Sequence, residues 1–193
     1  MSYFIPIFSA FIFLILFIFQ IFNKTFSDVF RLLASKWIFV FSVLGIIFWY
    51  LYLTGLQYFI WVEAGPPSSF FLPPHTSILY LFQYHLVRFL MYYCISFVIA
   101  VLFLIYGKRY NKKFGSKFFE DEELYIGGIA IFLLGNPLWT YLWIFYLLVI
   151  LLVGLLGTFY INKILKRRED RFPFYYLWMP LAIVAIIIAQ FLY

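Results

Sequence analysis

The positive charges of this chain come in three short clusters, separated by long apolar runs. Lys24, Arg31 and Lys36 make the first cluster, and Lys108, Arg109, Lys112, Lys113 and Lys117 the second. Lys163, Lys166, Arg167, Arg168 and Arg171 make the third. Of the 14 Lys and Arg residues only Arg88 lies elsewhere. The intervening connections, around residues 63–77 and 135–138, carry no positive charge. Cationic loops are retained on the cytoplasmic side of a membrane. The alternation therefore predicts an all-α, polytopic integral membrane protein that enters the cytoplasm three times and leaves it three times. Six spans are expected, near residues 3–22, 37–62, 82–106, 122–135, 138–161 and 172–193, in one transmembrane domain over residues 1–193 with both termini extracytoplasmic.

Composition agrees with that layout. The chain is 66% hydrophobic with a mean hydropathy of +1.00, whereas soluble domains are about half apolar. Its 193 residues cannot hide that much apolar surface in a water-soluble core, and six spans leave no room for a sizeable soluble domain. The net charge of +6 reads as orientation plus contact with anionic membrane lipid, and binding to nucleic acid is not expected. The single cysteine, Cys94, excludes a disulfide framework or a cysteine-based zinc site within the chain. The first apolar run has no basic residue before Lys24 and no small-residue cleavage site after it, so it reads as a retained span.

Local features refine the spans. Trp37 and Trp61 sit near the two ends of the second, as interfacial anchors do. Pro66, Pro67, Pro73 and Pro74 exclude a helix across the outer connection, and Thr76 or Ser77 is placed to cap the next one. The fourth span is short, ending at Gly135-Asn136-Pro137. A helix that short has to be surrounded by neighbours, and Gly127, Gly128 and Ala130 permit close approach. Gly154 and Gly157 offer a second small-residue surface on the fifth. Pro173 reads as the opener of the sixth and Pro180 as an interior kink.

The acidic residues are Asp28, Glu63, Glu120, Asp121, Glu122, Glu123, Glu169 and Asp170. Asp28 falls just after the first span and Asp121 just before the fourth, at the same expected depth near the cytoplasmic face. Two carboxylates brought close share a proton. One then acts as base toward water while the other donates to a carbonyl oxygen, which is the minimum equipment of an aspartic peptidase. Read alone, both are equally well solvated loop acids that balance nearby Lys and Arg. Arg88, with His85 one turn before it, marks either a polar site in the bundle or a cation snorkelling to the interface. Glu63 is its one acidic candidate partner on that side. His75 and His85 are too few for a metal site, and neither a metal nor a cofactor is expected.

The layout resembles the prepilin peptidase family, membrane aspartic peptidases of type IV pilin-like precursors. The resemblance rests on Asp28-Val29-Phe30-Arg31 after the first span and Phe118-Phe119-Glu120-Asp121 opening a short fourth span. Leu124 follows three residues after Asp121, and Gly127-Gly128 come next. Arg171-Phe172-Pro173-Phe174 opens the last span. Phe118 and Glu120 stand where the family's motif has glycine, and they demand a different backbone path. The resemblance implies Asp28 and Asp121 as the catalytic dyad of a hydrolase at the bacterial cytoplasmic (inner) membrane. It also implies a type IV pilus-like precursor with a short basic leader as substrate, drawn in part by Glu120, Glu122 and Glu123. Two alternatives stand beside it. One is a non-catalytic relative acting as a scaffold. The other is an accessory subunit of a larger membrane complex.

Overall fold

The computed structural model describes residues 4–22, 27–113, 119–139, 141–160 and 174–192. The third cationic cluster, Lys24, Lys117, Phe118, Phe172 and Pro173 lie outside them. Among the described residues the chain is helical and contains no strand. The elements are α1 (Phe4–Ile21), α2 (Asp28–Ala64), α3 (Ile78–His85), α4 (Met91–Lys113), α5 (Asp121–Leu133), α6 (Leu142–Phe159) and α7 (Trp178–Leu192). A π-helical turn, Leu86–Leu90, joins α3 to α4, so the two form one long rod.

Two rods, Asp28–Ala64 and Ile78–Lys113, are long and apolar enough to cross a bilayer. The apolar stretches Pro6–Ile21, Leu142–Gly157 and Trp178–Phe191 are shorter. Both long rods overrun the boundaries expected from hydropathy. α2 begins at Asp28 rather than near Trp37, and α4 runs through the basic segment to Lys113. The reason is that an apolar run marks where the surroundings are apolar and not where the helix ends. Polar residues such as Lys and Arg are good helix formers, so a helix continues past the point where it stops being apolar. The starts are set by caps. Ser27 Oγ accepts a hydrogen bond from the Phe30 N–H at 3.4 Å, with Asp28 in the first turn where a negative charge is favoured. Ser77 Oγ accepts from the Leu79 N–H at 3.3 Å and starts α3. Between the proline pairs of the connection from α2 to α3 sits only one 3-10 turn, Ser68–Phe71.

α5 is the centre of the molecule. It has 13 residues, about 20 Å of helix, and it packs against α1, α2, α4, α6 and α7. Its hydrophobicity has no side, and eleven of its residues, Glu122–Leu124 and Ile126–Leu133, are buried. A helix apolar all round belongs inside other helices. Gly127 makes room for α4 and α7 together. A Cβ there would stand 2.9 Å from both Phe103 Cε1 and Trp178 Cζ3. At the far end Ser96 Oγ donates to the Phe132 carbonyl at 3.0 Å, and Asn136 Oδ1 accepts from the Leu138 N–H at 3.0 Å. Both add side-chain hydrogen bonds to backbone groups where α5 ends.

Two expectations are corrected. α6 begins at Leu142, after a 3-10 turn at Pro137–Trp139. α7 begins at Trp178, after a 3-10 turn at Phe174–Tyr176, which puts Pro180 in its first turn and not in its interior. The first N–H groups of a helix have no partner within it, so Pro180 costs no hydrogen bond there and supplies no kink.

Gly127→Ala is expected to destabilise the bundle by about 1–3 kcal/mol, the usual range for overpacking. Gly55 in α2 has nothing within 4 Å of where its Cβ would be, so Gly55→Ala should be neutral or stabilising by up to about 1 kcal/mol. Thermal unfolding of the two variants in one detergent measures the contrast.

Candidate functional site

At the charged end of the bundle the first turns of α2 and α5 face each other across a cleft of about 430 Å³. Asp28, Arg31, Glu120, Asp121 and Glu122 line it, with Val29, Leu32 and Phe119 as its apolar walls. The two aspartates singled out in the sequence therefore share one cleft. Both are exposed, and the Asp28 side chain is 91% so.

Arg31 lies between the two elements with only 12% of its side chain exposed. Its Nη1 donates to Glu122 Oε1 at 2.7 Å, across 91 residues of chain. Its Nη2 pairs with Asp28 Oδ1 one helical turn before it. Glu120 stands at the edge of the cluster, 3.9 Å from Nη1. One guanidinium thus ties an exposed carboxylate of α2 to a buried carboxylate of α5. Among the described residues Asp121 takes part in no such pair.

Glu122 and Glu123 do not project into the cleft as solvated charges. They are only 4% and 3% exposed. Glu123 Oε1 accepts from the Trp178 indole N–H at 3.0 Å, and Glu123 Oε2 accepts from the Glu120 backbone N–H at 3.2 Å, closing the start of α5. Trp178 is held in turn, because its carbonyl accepts from the Tyr146 hydroxyl at 2.8 Å. Glu123 is therefore a structural anchor between α5 and α7. Tyr175 packs behind Glu122. Its carbonyl accepts from the Gln20 amide at 2.5 Å. Its buried hydroxyl lies in the field of both Glu122 and Arg31, but forms no hydrogen bond of ordinary geometry.

The backbone that leads to Asp121 is held from α4. Asn111, buried near the end of α4, clamps the backbone of Phe119 from both sides. Its Nδ2 donates to the Phe119 carbonyl at 2.5 Å and its Oδ1 accepts from the Phe119 N–H at 3.0 Å. Glu120 takes extended backbone, φ −73° and ψ 147°, which any L residue adopts. The path into α5 is held by a side-chain amide, and at Glu120 no glycine is needed.

The remaining candidates lie elsewhere. Arg88 is exposed, with its guanidinium 4.4 Å over the Tyr84 ring and Nη1 donating to the Tyr84 hydroxyl at 2.7 Å. Its contact is that aromatic ring; Glu63 forms no ion pair with it among the described residues. His85 is half-buried beside it, and His75 stacks edge-on against Phe70 in the connection from α2 to α3. Among the described residues no three His, Cys, Asp or Glu side chains converge as metal ligands would. Lys36 and Lys108 both approach the Tyr125 ring, at 5.7 Å and 4.7 Å, and Lys108 donates to its hydroxyl at 2.7 Å.

Sequence reasoning singled out Asp28 and Asp121 but not Arg31 or Asn111, and it read Glu122 as one of several loop acids. In the sequence Arg31 stands only as a basic residue three positions after Asp28, in a stretch expected to precede the second span. Its reach to Glu122 needed the packing of α2 on α5. No family model matches this chain, and no curated protein or solved structure matches it.

Removing Arg31 strands a buried carboxylate, whereas removing Asp28 leaves the buried pair intact. Arg31→Met should therefore cost about 3–5 kcal/mol, the range for breaking a buried ion pair, and Asp28→Asn should leave the unfolding transition almost unmoved. Glu122→Gln is expected to fall between them, because its amide still accepts one hydrogen bond from Arg31. Denaturation of the three variants in mild detergent ranks the effects.

Proposed function

We propose that this chain is a six-span membrane protein with a prepilin-peptidase-like layout, which cuts short basic leaders from pilin-like precursors at the cytoplasmic membrane face. The observation that carries the reading is the common cleft of Asp28 and Asp121, formed by two helix starts that are far apart in the chain. The membrane part of the reading is supported by where the apolar surface lies. Only 22% of the most apolar window of α2 and 28% of that in the α3–α4 rod are buried. Val40, Phe41, Leu44, Ile47, Phe48 and Leu51 form an outward apolar face on α2 alone. A soluble protein does not leave a face of that size in water, whereas a bilayer solvates it.

The proposed chemistry uses the two aspartates in different states. One carboxylate removes a proton from water as its oxygen adds to the scissile carbonyl carbon. The other gives its proton to the carbonyl oxygen. Collapse of the resulting diol breaks the C–N bond, with one diol hydroxyl returning its proton to the second carboxylate and the leaving nitrogen taking a proton from the first carboxyl group. For Asp28 to act, Arg31 has to release it. That release is inexpensive, because the Asp28 side of the pair is exposed and exposed pairs contribute little, while Glu122 keeps the guanidinium in place. Three exposed acids, Asp28, Glu120 and Asp121, line the cleft against one arginine that the buried Glu122 already holds. The cleft is therefore suited to a basic leader.

A second reading is favoured by one specific contact. With Arg31 on Asp28, the cleft as it stands holds a counter-ion at one of its aspartates rather than a proton shared between two carboxylates. A non-catalytic scaffold of the same layout would keep that arrangement permanently. Co-expression with a pilin-like precursor bearing a basic leader separates the two. The peptidase reading predicts a shortened precursor on an immunoblot, lost in both Asp28→Asn and Asp121→Asn protein at equal expression. Persistent cleavage by either variant contradicts the dyad, and an uncut precursor with the wild-type chain selects the scaffold.

A further inference from the structure

A groove of about 430 Å³ runs along the last turns of α4, on the other side of Phe119 from the acidic cleft. Phe103, Tyr106, Tyr110 and Lys113 follow one another at helical spacing along it, with Arg109 beside them and Phe119 as the opposite wall. From Phe103 to Lys113 is about 15 Å of helix, which is half of a ~30 Å hydrocarbon layer. The order along that length runs from apolar ring through phenol to cation. Arg109 and Lys113, four residues apart, stand one turn from each other at the polar end. An inner-leaflet phospholipid has the same order and the same length, with its acyl chain toward the midplane and its phosphate at the surface.

We propose that this groove binds one anionic phospholipid, with an acyl chain against Phe103, Tyr106 and Phe119 and the headgroup phosphate between Arg109 and Lys113. The inference rests on the membrane reading above, in which the Lys113 end of α4 faces the cytoplasm. It is independent of whether the aspartates hydrolyse anything. Two features set the groove apart from a general cationic surface. Arg109 and Lys113 stand at one end of an apolar groove whose volume lies within the range of ligand clefts. The neighbouring Lys108 is turned away from it, onto Tyr125.

Native mass spectrometry of the detergent-purified full chain tests this, with equal amounts of phosphatidylglycerol and phosphatidylcholine added. Wild-type protein should retain one phosphatidylglycerol in preference to phosphatidylcholine. Arg109→Gln/Lys113→Gln protein should lose about thirtyfold in that affinity, as expected for two cations at a membrane surface. Lys112→Gln, outside the groove, should not change it, and Arg109→Lys should retain most of it. If the double variant does not fold, each single glutamine variant should still show about a fivefold loss. Lysophosphatidylglycerol, with one chain, should bind as well as the two-chain lipid, and millimolar inorganic phosphate should not displace it. Equal retention of the two lipids, an unchanged double variant, or displacement by phosphate alone overturns the lipid site. Wild-type protein recovered from cells without detergent overturns the membrane reading instead.

Discussion

A buried helix needs partners for the polar groups it carries inward, and α5 is such a helix. Its first turn carries Asp121, Glu122 and Glu123, and the last two point into the bundle. Leaving either unpaired there would cost several kcal/mol. Arg31 from α2 meets Glu122, and Trp178 from α7 meets Glu123. These two contacts fix where α2 and α7 start relative to α5. They also bring the exposed Asp28 to the same cleft as Asp121. The rest of the bundle follows the geometry they set. Gly127 lets α4 and α7 close on the centre, and Asn111 holds the chain as it turns into α5.

Much of this was legible in the sequence, though unevenly. The helical class and the approximate positions of the rods followed from apolar runs and charge clusters, because both report directly on solvent. The short, enclosed α5 followed from Gly127-Gly128 and the Gly135-Asn136-Pro137 stop. Helix ends were read less well. Hydropathy ended the rods where apolarity ends, whereas Ser27 caps α2 well before Trp37, and Lys113 is still helical. Pro180 was assigned to a helix interior because nothing in the sequence marks the 3-10 turn at Phe174–Tyr176 that delays α7. At the site, Asp28 and Asp121 could be picked out by position alone. The inward turn of Glu122 and Glu123 could not, since a run of four acids next to a basic loop reads as a solvated face. Which of them is buried depends on the rotation of α5, and that is decided by Leu124, Ile126 and their neighbours packing on five other helices.

Arg31 connects the structural and chemical roles of the site. The same guanidinium that pairs with a buried carboxylate also holds the exposed aspartate. Its two contacts differ in environment. Glu122 is held in a largely water-free setting, where the pair is hard to break, and Asp28 in an open one, where water competes with it.

The central claim is that the starts of α2 and α5 open into one cleft on the cytoplasmic side of a bilayer. Cysteine labelling tests it directly, because Cys94 is the single native cysteine and is removable. In a Cys94→Ala background, Asp28→Cys and Asp121→Cys should each react with a membrane-impermeant maleimide in inverted membrane vesicles. Both should be protected in right-side-out spheroplasts. Labelling of the two positions from opposite faces would contradict the account.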